Sequence, residues 1–439
     1  MIPRLRPTIG MKELATCLLP AANNAVPRFE QAFAMLTEQE HAISFPYGRT
    51  ALVCLLEALG IRQKEIICPA WTCVVVPHAI VESENEPVFV DCATGDYNMD
   101  LAAAAREIGA KTGAIIPTSI FGHPVDLDAL DTLRQQYPHI PIIQDCAHSF
   151  SASWKCRQVQ KEGIAAIFGL NISKLLTSIF GGMVTTDDAS LAKELVKVRA
   201  HRIAPPVLAK SIKNRMYLLA SSCALLPPIY GTINKIEQSG LLNRFVQYYD
   251  EKKITMPHDW LEGMSKIQAE VGIHQIRHYT SILDMRREAA AFYSRSLAGV
   301  SGVTLPRWHD GATWSHYTIR VKNRDELLRK ALKSGIQLGW LIEYCIPELY
   351  AYRSRQGYRD CPEARMLASE SVNLPVWGGK PVAERVGEFL KRAMPKSCTP
   401  GKAGGLKGNE PLKAVLIYEP PKGAAYNNRN WSTRWSSFS

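Results

Sequence analysis

Three short stretches of this 439-residue chain carry residue types that can do chemistry together. Asp145-Cys146-Ala147-His148 follows an apolar run at Ile140–Gln144, and Asn171-Ile172-Ser173-Lys174 follows another at Ala165–Phe168. Tyr47-Gly48-Arg49-Thr50 follows Ala42–Phe45 and opens a helical pattern. Each alone is ordinary. A lone lysine is usually a solvated surface group, a strand-end aspartate a cap or ion-pair partner, and a Gly-x-Thr turn a plain helix start. Taken in order they form a phosphate cradle, then a carboxylate, then a lysine. A lysine amine forms a Schiff base with an aldehyde, and a carboxylate keeps a pyridine nitrogen protonated. A helix N-terminus holds phosphate through free N–H groups, and Arg49 can add a charge-assisted contact. That set is what pyridoxal phosphate chemistry needs.

The elements that must position these residues are legible as an alternation. Besides the three runs already named, Ile66–Cys68, Val88–Asp91, Ala114–Pro117 and Met183–Thr186 read as strands. Stretches such as Ala51–Leu59 and Leu127–Tyr137 have apolar residues at three- and four-residue spacing, and Asp126 is placed to cap the second. An α/β fold follows, with a mostly parallel sheet covered by helices on both faces. Ligands in such sheets gather at the carboxyl ends of strands, where all three chemical stretches lie.

The organisation expected is a large α/β domain over 1–201, an inserted apolar and basic segment over 202–260, a smaller α+β domain over 261–395, and a low-complexity tail over 396–439 whose composition is that of disorder. In the insert, Met216–Ile233 carries no charge, and Pro227-Pro228 limits an apolar helix to about Leu226. At most three turns of such helix is too short to cross a bilayer. It reads either as a packing element, on the protein or on a second subunit, or as an interfacial element with peripheral membrane contact through 205–255. The third segment has a helical stretch from Met264, a strand at Tyr317–Val321 and helices around Asp325–Ser334 and Val382–Met394.

Composition is globular, with 46% hydrophobic and 21% charged residues, and excludes a fibrous or wholly disordered chain. The formal charge of +11 favours anionic ligands. No aromatic-interleaved basic stripe accompanies it, so nucleic acid is not an expected partner. Eleven scattered cysteines without a CxxC pair, behind a start that lacks a signal peptide's apolar core, read as reduced thiols of a cytoplasmic protein. Cys68, Cys73 and His78 lack metal-site spacing and read as buried structural residues, so no metal is expected.

Eight segments in order resemble the DegT/DnrJ/StrS family of pyridoxal-phosphate-dependent sugar aminotransferases: GRTAL (48–52), PAWTC (69–73), PVFVD (87–91), IIPTSIFGHPVDLDAL (115–130), QDCAH (144–148), SKLLT with GGMVTTDD (173–188), MSKIQAEVG (264–272) and NLPVW (373–377). The resemblance implies the type I fold of these transferases. It makes Lys174 the Schiff-base lysine, Asp145 the pyridinium partner, His148 a ring or substrate contact, and Gly48, Arg49 and Thr50 the phosphate turn. It further implies an amino-acid donor, glutamate in this family, a keto-sugar acceptor, usually nucleotide-linked, a role in surface polysaccharide or amino-sugar biosynthesis, and a homodimer. Retention of Lys174 separates the chain from the family's lysine-lacking dehydratases.

Several positions depart from the family pattern. Gly169 stands where a phosphate-binding serine is usual, Leu261 and Gly263 replace an Asn-x-Arg pair, Cys73 replaces a ring-stacking aromatic and Phe180 a glutamate. Arg49 and Trp71 are the candidates to replace lost phosphate and stacking contacts. These changes keep open the alternative of a pyridoxal-phosphate-binding or degenerate member with a regulatory or scaffold role.

Overall fold

Valine, isoleucine and phenylalanine suit a strand buried on both faces, and the apolar runs become strands accordingly. The computed structural model describes residues 1–238, 252–353, 355 and 359–394; the expected tail lies outside them. The strands are β1 (His41–Phe45), β2 (Glu65–Pro69), β3 (Glu86–Val90), β4 (Thr112–Ile115), β5 (Ile143–Asp145), a small hairpin of β6 (Ser153–Trp154) and β7 (Arg157–Gln158), β8 (Ala165–Gly169) and β9 (Gly182–Thr186). β3, β2 and β4 pair in parallel, as do β5 and β8, and parallel bridges Ile115–Ile142 and Thr118–Asp145 join the two sets. The order across the sheet is thus β3-β2-β4-β5-β8-β9-β1, with β9 antiparallel to both its neighbours.

These pairings bring the carboxyl ends of β1, β5 and β8 to the same end of the sheet. The strand expected at Ile140–Gln144 starts at Ile143 instead. Pro141 has no N–H to give a ladder, so regular pairing begins after it and Asp145 becomes the last strand residue. Helices cover the sheet, and three begin at aspartate N-caps, of which the sequence marks Asp126. Asp100, Asp126 and Asp188 each accept two backbone N–H groups of the first turn.

A second core forms around the antiparallel pair β10 (Tyr317–Arg320) and β11 (Ser371–Leu374). Trp314, Tyr317, Ile319, Val372, Leu374, Val386 and Leu390 pack there under the helix Gly379–Ala393. The 31-residue helix Lys266–Ser296 serves both cores. Its first half lies on the large-sheet side, where a Cβ on Gly272 would fall 2.3 Å from the Phe29 ring, and its second half gives Ala289, Ala290 and Tyr293 to the second core. Ile2 also sits in that second core, with its N–H bonded to Gly335 and its C=O to Gln337. The first residues of the chain therefore contribute to the second core.

The insert contains two helices, Leu208–Ala224 and Pro227–Gln238, bent by 104°. The first is longer than the three turns expected, because it starts at Leu208, and the prolines do not end helical structure. Pro227 opens the next helix, where a residue without an N–H is tolerated. Among the described residues, no single helix is long and apolar enough to cross a membrane.

Candidate active site

Asp145, at the end of β5, is buried. Its Oδ1 accepts from the Ala147 N–H (3.0 Å) and its Oδ2 from the Thr118 hydroxyl (3.3 Å). Burial raises its pKa, against the opposing pull of the Ala147 amide, the Lys174 charge and Thr118. A cation seated against this carboxylate would relieve that penalty.

His148 follows on the same turn, also buried. Its Nδ1 accepts from the Phe121 N–H at 3.3 Å, which puts the proton of the neutral ring on Nε2. The ring stacks on Phe121, with centroids 5.8 Å apart and 6° between planes. Burial, with Lys174 and His316 nearby, depresses its pKa well below the ordinary histidine value.

Lys174 is set by a tight turn in which its own N–H bonds the Asn171 C=O (3.0 Å) and the Ser173 N–H bonds Asn171 Oδ1 (3.0 Å). Desolvation lowers its pKa from the ordinary 10.5, while Cys73 and Asp145 raise it. Gly169, at the end of β8, lies under it. A Cβ there would stand 3.6 Å from Lys174 Cε and 3.7 Å from Ala147 Cβ, so the missing side chain leaves the floor bare beneath the lysine.

The helix Gly48–Ala58 points its N-terminus at the same place. Its first intrahelical bond is Ala51 N–H to Tyr47 C=O (2.9 Å), leaving the N–H groups of Gly48, Arg49 and Thr50 without intrahelical acceptors. Gly48 stands at a close approach: a Cβ would sit 3.2 Å from Gly169 Cα and 3.3 Å from the Phe168 C=O, so a side chain there would press on the end of β8. The Thr50 side chain turns away from the cleft and donates to the Trp260 C=O at 2.9 Å, so only its N–H can serve the turn. Tyr47 donates to Asp259 Oδ1 at 2.7 Å, and burial together with that bond pushes its pKa up.

Lys174, Asp145, His148, Gly48 and Arg49 line one cleft of about 850 Å³, together with Cys73, Gly169 and His316. Arg4, Lys252 and Trp340 form part of the same wall. Pyridoxal phosphate fits this set: a buried acid that needs a cation, an amine, a bare floor, and a helix N-terminus for phosphate. Trp71 does not take part in the stacking suggested for it. It is fully buried, donates to the Ile342 C=O (3.2 Å) and packs against Tyr97 and Phe121, because the Pro-Ala-Trp turn faces the core. Cys68 and His78 are also buried, and His78 stacks on Tyr352. His316 was not apparent from sequence spacing; its ring lies 5.6 Å from that of His148, brought there by the start of β10.

The family model for DegT/DnrJ/EryC1/StrS aminotransferases matches residues 20–225 and 232–384. The chain belongs to this aminotransferase family. SpsC of Bacillus subtilis, a spore coat polysaccharide biosynthesis protein, is 25% identical over 364 residues, covering 80% of this chain and 84% of SpsC. Two solved structures share the fold. Spr1654 of Streptococcus pneumoniae, in its PMP form, is 20% identical with a TM-score of 0.71, covering 90% of this chain and 99% of that one. DesI, solved in the presence of its TDP-sugar product, is 21% identical with a TM-score of 0.68, covering 89% and 91%. The architecture is thus that of the fold type I aminotransferases, and membership implies pyridoxal phosphate as cofactor.

Proposed function

We propose that this family member transfers an amino group from glutamate to the keto group of a nucleotide-linked sugar, in the cytoplasm, as a homodimer serving polysaccharide or amino-sugar biosynthesis. The observation that carries the reading is the convergence of Lys174, Asp145, His148 and the Gly48–Thr50 helix start on one cleft. SpsC's role in polysaccharide synthesis and DesI's TDP-sugar product support the substrate class. Arg4, Arg49 and Lys252 stand on the cleft wall with Glu343, an excess of cationic over anionic side chains that suits a diphosphate.

When bound, pyridoxal phosphate supplies an electron sink for the pair left as a proton leaves the donor's α-carbon. The chain's own residues then divide the remaining work. Lys174 Nζ, with its lowered pKa, takes and returns that proton. Asp145 would hold a proton on the pyridine nitrogen, and the N–H groups that open the helix Gly48–Ala58 would bind phosphate. His148, fixed by Phe121, presents Nε2–H as a neutral donor inside the cleft.

The test is to incubate the cofactor-loaded enzyme with glutamate and a panel of nucleotide-linked keto-sugars, with the matching free sugars as controls, and to look for amino-sugar product. Product from at least one nucleotide sugar is expected, with Asp145→Asn reducing turnover by about 10²–10³-fold, the scale of one lost preorganised charge. A protein that binds the cofactor but leaves every keto-sugar unchanged would overturn the reading.

A further inference from the structure

The helix Leu208–Ala224 is built inside out. A helix on a globular protein normally turns its apolar stripe to the core and its polar face to water. Here the side chains facing inward include Lys210 and Asn214: Lys210 donates to the Glu262 C=O and lies 3.9 Å from Asp259, and Asn214 Nδ2 donates to Ser265 Oγ at 3.2 Å. Leu218 is the inward-facing hydrophobe that is fully buried. Outward, at i, i+4, i+8 and i+11, stand Leu208, Ile212, Met216 and Leu219, with exposures of 77%, 54%, 63% and 37%.

The apolar surface continues past the helix. Arg215 donates to the carbonyls of Thr16 (2.8 Å) and Leu19 (3.0 Å), which seats the segment carrying the exposed Leu18 and Leu19 beside the helix. An apolar face of this kind, held rigidly by polar contacts on its other side, marks an interaction surface.

Charge selects what covers it. From Ile203 to Ile236 the sequence contains no Asp or Glu, and the exposed Lys213 and Lys235 lie on the two helices, with exposed Lys12 on the neighbouring segment. In a two-fold contact between copies this rim would meet its own set of lysines, with no carboxylate between Ile203 and Ile236 to answer them. An anionic lipid surface answers both features: side chains of the stripe enter the head-group boundary and the lysines meet negative lipid. The helix pair turns by 104° between its arms and so can lie along such a surface.

We propose that the outward face of Leu208–Ala224 docks this protein onto an anionic membrane surface. The inference goes beyond the transamination reading and does not depend on it. The test is cosedimentation of the full-length protein with phosphatidylglycerol/phosphatidylcholine vesicles and with phosphatidylcholine alone, alongside light scattering. The triple variant Leu208→Ser/Ile212→Ser/Met216→Ser changes only exposed positions, leaves Lys213, Lys235 and the basic C-terminal residues in place, and should keep the parent's circular dichroism.

The intact protein is expected to bind the anionic vesicles, less in high salt, and the variant to bind them about tenfold more weakly or worse with its oligomeric state unchanged. Absence of binding by the intact protein, equal binding to phosphatidylcholine alone, or equal binding by the variant would each overturn the proposal. So would a variant whose oligomer falls apart, since the face would then belong to a second copy.

Discussion

Lys174 and Asp145 are charges that burial disfavours, in opposite directions. Desolvation lowers the lysine's pKa and raises the aspartate's, and each partly restores the charge of the other. For Lys174 the sign is testable. Its folded pKa lies below the unfolded value near 10.5, so the neutral amine is reached at lower pH in the folded protein than in a free lysine. Capture of pyridoxal phosphate by the cofactor-free protein should therefore speed up with pH and level off below 10.5, as followed by absorbance, with borohydride fixing the pyridoxyl group on the Lys174 peptide. A midpoint at or above the ordinary lysine value would contradict the assignment. The same linkage makes burial of Lys174 cost stability below its folded pKa, a cost that fades as pH rises toward the unfolded value. The residues legible in sequence were those lying directly after strands, because a strand end fixes position and direction together. His316, Arg4 and Lys252 were not, since each reaches the cleft from a segment far off in the chain. Trp71 misled because adjacency to a strand end does not say which face a turn presents.

The element that fixes the cleft is the junction of β1, β9 and the helix Gly48–Ala58. Gly182 pairs with Phe45 across β1 and β9, and a Cβ on Gly182 would fall 2.3 Å from the Tyr47 C=O. Backbone cannot yield there as a flexible side chain would. Gly182→Ala should destabilise the protein by roughly 1–3 kcal/mol, the range for overpacking, and weaken cofactor binding as well, because the displaced carbonyl begins the helix proposed to bind phosphate. Gly109→Ala is the control, since a Cβ there meets nothing within 4 Å. Chemical denaturation of both variants measures the difference, and equal stability would remove the steric argument. The strands at this scale were readable from periodicity, and the helix Leu127–Gln136 also from its Asp126 cap. The helix Leu208–Ala224 resisted the same reading, because its polarity is reversed and so its apolar stripe does not point to the core. β11 escaped because Ser371 and Asn373 are polar although the whole strand is buried, so no apolar run marks it.

Across the whole molecule, the first residues of the chain and the last described helix share one core. Ile2 is 5% exposed there, and Trp377 Nε1 donates to the Pro3 C=O at 2.9 Å. Ile2→Ala should lower stability by about 2 kcal/mol or more, as for other buried isoleucines, and should also raise KM, because Arg4, two residues on, lines the cleft. A melting temperature and KM both unchanged from the parent would show that the N-terminal segment is a passenger. No local periodicity could reveal this arrangement, since the contacts join residues more than 300 positions apart.

The cleft helix and the outward-facing helix are also joined through Tyr47. Its hydroxyl bonds Asp259, the carboxylate within 3.9 Å of Lys210, and its ring lies 6.2 Å from Phe180, which in turn lies 4.8 Å from Tyr217. Lys210 and Tyr217 both belong to Leu208–Ala224, so the residue just before the helix Gly48–Ala58 is linked to that helix by a polar route through Asp259 and an aromatic one through Phe180. Thermodynamic reciprocity then governs the two ends. If occupancy of the cleft tightens these contacts and changes the helix's affinity for whatever covers it by some factor, covering the helix must change the cleft's affinity by the same factor.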